Sequence, residues 1–234
     1  MARPSLFSTL LDSRISSLPR LFLLTAFGLG LVLARVVTTG SLSYTFLAWN
    51  LFLAWVPFAL AKGLEAAVEK RVHGAWVLAV GCAWLIFLPN APYLATDLMH
   101  LRYREGAPLW FDAIMLMTFG WAGLVLGVES LSMVAKLVAN RVGVFGARVF
   151  VIGVALLTGY GIYLGRFVRL NSWDVAAHPG WVLRQVATPV VHPLDTIRAW
   201  NVTVTVAGLF LLTYLTMRRP EPLPVTPPST PPTE

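Results

Sequence analysis

The chain is poor in cysteine and in charge, and each scarcity excludes something. Its single cysteine, Cys82, rules out an intramolecular disulfide, and no second Cys or His stands at metal-ligand spacing from it. Cys82 falls inside an apolar run and is expected as a small buried apolar side chain. Only 12% of residues are charged, against about a quarter in soluble domains. Acidic residues are the scarcer sign, 11 against 18 Lys and Arg, a net charge of +7. No Walker loop, G-x-S-x-G elbow or H-E-x-x-H site occurs, so no cofactor and no resident metal are expected. The pI of about 10.1 would suggest nucleic acid in a soluble chain, but no nucleic-acid motif accompanies it. Basic residues concentrated in the loops of a membrane protein explain the charge more simply.

Long apolar runs are present instead. Six lie near Leu21–Val37, Leu42–Ala61, Ala75–Leu94, Leu109–Leu131, Val149–Leu164 and Trp200–Met217. A bilayer core about 30 Å thick takes roughly 20 helical residues. Lipid offers the backbone no hydrogen-bond partner, so these runs cross as helices. The expected fold is all-α, a polytopic bundle of about six spanning helices over residues 21–217. Residues 1–20 form a cytoplasmic N-terminal segment, and residues 218–234, rich in Pro and Thr, a disordered cytoplasmic tail. Arg3, Arg14 and Arg20 before the first run resemble a signal peptide's basic start. No cleavage site of the A-x-A kind follows, so the run reads as a retained anchor.

The basic residues give an orientation. Alternate loops and both termini collect eleven of them: Arg3, Arg14, Arg20, Lys62, Lys70, Arg71, Lys136, Arg141, Arg148, Arg218 and Arg219. The opposite side holds seven: Arg35, Arg102, Arg104, Arg166, Arg169, Arg184 and Arg198. The first group is expected inside. The region near 171–198 is too broken by Pro179, Pro189 and Pro193 to span. It reads as an outer interfacial loop with a helix around Trp181–Ala187.

Chemistry-bearing residues gather at the outer boundary. Pro89 and Pro92 interrupt the third run and force a kink or restart. If the helix restarts there, Tyr93, Asp97, His100 and Arg104 share one face at i, i+4, i+7 and i+11, opposite Leu94, Leu98 and Leu101. Asp112 opens the fourth run, where a carboxylate suits the helix dipole. Arg166 and Arg169 leave the fifth run three residues apart on one face, followed by Asn171, Trp173 and Asp174. These arginines are expected to find Asp97, Asp112, Asp174 or an anionic ligand. A metal on Asp97, His100 and Asp112 is disfavoured, because no second histidine is near. Inside the membrane, Asn50 is expected to hydrogen-bond a neighbouring helix, and Gly123-x-x-x-Gly127 and Gly161-x-x-x-Gly165 permit close helix approach.

Two stretches, "FLPNAPYLATDLMHL" (87–101) and "GIYLGRFVRLNSWDV" (161–175), together with Trp110-Phe111-Asp112, resemble the signatures of a bacterial membrane-protein family called domain of unknown function 1361. The resemblance spans roughly Leu21 to Met217. It implies a multi-pass protein of the bacterial cytoplasmic membrane and no assigned activity. The matching positions are Pro89, Asn90, Pro92, Tyr93, Thr96, Asp97, His100, Asp112, Gly165, Arg166, Asn171, Ser172, Trp173 and Asp174.

The residues support three readings of function. The first is an outward-facing site for a small anionic or lipid-headgroup ligand, with Asn90, Tyr93, Asp97, His100, Asp112, Arg166, Arg169, Asn171, Trp173 and Asp174 as candidate ligand-binding residues and membrane lipid as the expected partner. The others are a small-solute carrier or channel and a non-catalytic assembly subunit. No residue is assigned a catalytic role, and the sequence decides neither for nor against an enzyme.

Overall fold

A computed structural model describes residues 18–170 and 174–217. The expected N-terminal segment up to residue 17, the tail 218–234, and Asn171 to Trp173 lie outside the described residues. Regular structure among the described residues is helical. Helix α1 is Leu18–Thr39, α2 Phe46–Glu69, α3 Gly74–Phe87 and α4 Asn90–Thr96, which runs into a 3-10 turn at Asp97–His100. Helix α5 is Leu109–Tyr163, continued by a π turn at Leu164–Val168. Then come α6 Asp174–Ala177, α7 Pro179–Val191 and α8 Ile197–Met217.

Five segments are long and apolar enough to cross a membrane: α1, α2, Gly74–His100, Leu109–Val168 and α8. The fourth of these makes two passes. Within α5, Gly143 has φ 77° and ψ 174°, a conformation an L side chain rarely adopts and glycine takes freely. The contacts on either side of it show that the chain doubles back. Gly123 lies against Ala91, and Gly161 lies against Pro89, two residues away in sequence. On one straight helix Gly123 and Gly161 would stand about 57 Å apart at 1.5 Å per residue. The arms 109–142 and 144–163 therefore form an antiparallel hairpin, so the bundle has six long helical arms, one for each of the six apolar runs.

The two ends of the bundle are named here for Asp97 and for Gly143. Burial follows from the solvent. Between 22% and 33% of each spanning window is buried inside the protein. Large side chains such as Phe22, Leu33, Leu78, Ile152 and Leu212 are exposed. A water-soluble bundle could not leave such surfaces uncovered, whereas lipid covers them at no cost. What holds the helices is close approach and buried polar contact. A β-carbon at Gly123 would meet the Ala91 carbonyl, and one at Gly159 the Thr203 carbonyl. Ser130 donates to the Pro57 carbonyl at 2.9 Å and accepts the Trp84 indole N–H at 2.8 Å, tying α2, α3 and α5 together.

One local expectation is corrected. Cys82 is exposed rather than buried, because its face of α3 looks away from the bundle. The stretch 171–198 carries α7, which contains the expected helix around Trp181–Ala187. Helix α7 is held down by Tyr160, whose hydroxyl donates to the Val186 carbonyl at 2.7 Å, and by Trp200, whose indole donates to the Pro189 carbonyl at 3.2 Å.

Candidate functional site

The break between α3 and α4 does what two prolines require. Leu88 and Pro89 turn the chain, and the side-chain amide of Asn90 donates to the Phe87 carbonyl at 2.9 Å, satisfying an acceptor at the interrupted helix end. The restarted helix places Asp97 in the protein interior, at 0% exposure. Arg166, from the π turn that ends the hairpin's second arm, hydrogen-bonds Asp97 Oδ1. Its Nη2 and Nε also donate to Thr96 Oγ1 at 2.8 and 3.1 Å, and its Nη1 meets His100 Nε2 at 3.1 Å. An arginine only donates, so in this contact His100 Nε2 is the acceptor. At 3.9 Å from Asp97 Oδ1, the same nitrogen is beyond hydrogen-bonding distance of the carboxylate. The second carboxylate oxygen of Asp97 accepts from Asn50 Nδ2 at 2.9 Å. The Tyr93 ring lies 4.0 Å under the Arg166 guanidinium, a cation–π contact in a desolvated place.

Asp112 belongs to a second, separate pair. Arg35 on α1 donates from Nε to Asp112 Oδ1 at 2.5 Å and from Nη2 to Oδ2 at 3.0 Å. The two residues are 2% and 0% exposed. Two parallel bonds from a planar fork suit a carboxylate better than any lysine could. Tyr44 connects the pairs. Its ring carries the Arg35 guanidinium at 5.0 Å, and its hydroxyl donates to the His100 carbonyl at 3.3 Å. Arg104 also stacks on Tyr44, at 4.9 Å, and its buried Nε finds no acceptor among the described residues.

The sequence expectations divide accordingly. Asp97 and Arg166 were expected to meet across the ends of the third and fifth spans, and they bond directly. Asn50 does bond a neighbouring helix. Asp112 does not join Asp97 and His100; each carboxylate is taken by its own arginine. Arg169 does not share a face with Arg166. The π turn inserts an extra residue, and Arg169 ends it in the left-handed region at φ 63°, with its side chain exposed. Arg104 leaves the expected face because the helix tightens at Asp97–His100 and ends before it. Asp174 opens α6, while Asn171 and Trp173 fall outside the described residues. Sequence reasoning counted Arg35 only as a loop charge. The available signal was a cation inside an otherwise apolar run, which in a membrane demands a partner.

Next to the Asp97 cluster lies a cavity of about 480 Å3. Its walls include Leu53, Ile86, Phe87, Leu164, Val182 and Val186, and its polar residues are Asn50, Asn90 and Tyr93, with Trp49 and Gly165 beside them. Helix α7 closes one side through Val182 and Val186. Such a size is typical of small-molecule sites, about 300–1,000 Å3. Both signature stretches contribute to the lining, at the α3–α4 break and at the π turn, but of the candidate ligand-binding residues only Asn90 and Tyr93 line it.

Fold and site together define a polytopic helical bundle with the apolar helices of an integral membrane protein, buried ion pairs and a cavity at one end. Residues 49–214 match the family described as "Protein of unknown function (DUF1361)", and the chain belongs to that family. Neither the curated proteins nor the solved structures contain a match to it.

Proposed function

We propose that this protein binds a lipid-like amphiphile in the cavity at its Asp97 end, and that this end faces away from the cytoplasm in a bacterial cytoplasmic membrane. The observation that carries the reading is the cavity's two-part lining. Each wall carries an apolar residue about one helical turn from a polar one, Leu53 from Asn50 on α2 and Ile86 from Asn90 across the α3–α4 break, with Tyr93 one turn beyond on the Asp97 side. An acyl chain would take the first part and a head group the second. A free small anion would need unpaired cations, and Arg166 is already matched by Asp97. The ligand expectation therefore narrows to its lipid-headgroup half.

The orientation rests on the basic residues. Lys62, Lys70, Arg71, Lys136, Arg141 and Arg148 lie toward the Gly143 end. Of the seven at the opposite end, Arg35 and Arg166 are held by buried carboxylates and are not loop charges. The contrast that supports a cytoplasmic Gly143 end is thus larger than the raw count.

Lipid retained through a delipidating wash tests the reading. Gly165 borders the cavity, and a β-carbon there would meet only ordinary contacts, the nearest being Tyr93 at 3.6 Å. Gly165→Phe should fill the cavity and lose tightly held lipid in mass spectrometry of the purified protein, with a melting temperature near wild type. Equal retention by a well-folded Gly165→Phe would overturn the proposal.

A further inference from the structure

We infer that the head group taken by this cavity is uncharged and rich in hydroxyls, and that the ligand is a sugar-bearing lipid; the inference rests on the amphiphile reading above. It follows from what remains unspent at the polar end. Asn50 gives one amide N–H to Asp97 Oδ2 and Asn90 gives one to the Phe87 carbonyl. Each keeps a second N–H and an amide oxygen with open lone pairs. The Tyr93 hydroxyl makes no hydrogen bond within the described residues, and neither does the Trp49 indole N–H. The polar end thus offers donors and acceptors in comparable number and no net charge.

An anionic head group would find acceptors facing it and no free cation among the residues lining the cavity. The nearest guanidinium, Arg166, is committed to Thr96, Asp97 and His100 and stacks on Tyr93. Drawing it away would strand Asp97, at 0% exposure, without its counter-charge. A cationic head group meets the same balance from the other side, since Asp97 accepts from both Arg166 and Asn50. A hydroxyl donates and accepts at once, so a group with several neighbouring hydroxyls can satisfy amide N–H, amide oxygen and phenol together. Two aromatic residues, Trp49 and Tyr93, line the same end. Arg166 covers one face of the Tyr93 ring, so the ring of Trp49, 55% exposed, is the surface that suits the apolar C–H face of a sugar, and this favours a glycosyl head over bare glycerol.

The test uses the full-length protein and four lipids with identical acyl chains: glucosyl-diacylglycerol, diacylglycerol, phosphatidylethanolamine and phosphatidylglycerol. Binding is read by native mass spectrometry and by the shift in melting temperature. Wild type should hold glucosyl-diacylglycerol at least about tenfold more tightly than phosphatidylglycerol, since two or more neutral hydrogen bonds contribute roughly fivefold each. Tyr93→Phe keeps the ring beneath Arg166 and removes only the hydroxyl; it should reduce that preference about fivefold. Asn90→Leu should do the same, and if it melts too low to assay, Tyr93→Phe decides. Equal or stronger binding of phosphatidylglycerol would overturn the inference, as would diacylglycerol binding as well as its glucoside. In those cases release of lipid by Gly165→Phe would still uphold the amphiphile site. Retention of none of the four lipids would sink both.

Discussion

Arg35 and Asp112, 77 residues apart in sequence, form a two-bond ion pair that pins the C-terminal end of α1 to the first turn of α5. Both side chains are out of contact with solvent. Desolvating two charges is costly, and the pair persists because each satisfies the other in a fixed geometry, with Thr39 Oγ1 accepting a further bond from Arg35 Nη1 at 3.1 Å.

Removing one member of that pair leaves a charge without a partner. Arg35→Met and Asp112→Leu, each alone, should destabilise the protein by about 3–5 kcal/mol, while the double variant should recover most of the loss. Melting of the three proteins in the same detergent measures this. A double variant no better than the worse single would show that the two residues do not act on each other.

Arg166→Lys preserves charge but not shape. An ammonium cannot reach Thr96, Asp97 and His100 together, nor stack on Tyr93 as a plane does. The variant should melt well below wild type, and Arg166→Gln lower still, because it removes the counter-charge of Asp97. If lysine proved as good as arginine, the fork geometry would be irrelevant.

Close backbone approach makes specific glycines irreplaceable. Gly123→Val and Gly159→Val would push side chains into the Ala91 and Thr203 carbonyls, at a cost of about 1–3 kcal/mol or more. Gly63→Ala and Gly208→Ala meet nothing within 4 Å and should leave the melting temperature unchanged or slightly higher. The comparison within one set of thermal melts checks that contact, and not glycine itself, is the cause.

Reporter fusions give the topology. Fusions at Gly143 and after Met217 should report cytoplasm, and one near Pro179 the opposite side. A cytoplasmic signal at Pro179 would contradict the six-crossing orientation.

The sequence by itself determined the apolar character of the helices, the number of long helical arms and the places where helices must break. Run length against bilayer thickness is a one-dimensional property, and so is a proline pair at Pro89 and Pro92. It also marked Asp97 and Arg166 as partners, because two opposite charges at neighbouring span ends have few cheaper states near lipid. What only the tertiary structure decided is which charge meets which. Asp112 pairs with Arg35 and not with the Asp97 cluster, since that choice depends on α1 packing beside the start of α5. Arg169 turns outward because of one extra residue in a π turn, a change of register that leaves no trace in spacing. The cavity is likewise invisible in the chain. Its lining comes from Trp49 to Val186, and it exists because the hairpin at Gly143 returns Gly161 and Gly165 to the broken helix beside Asn90.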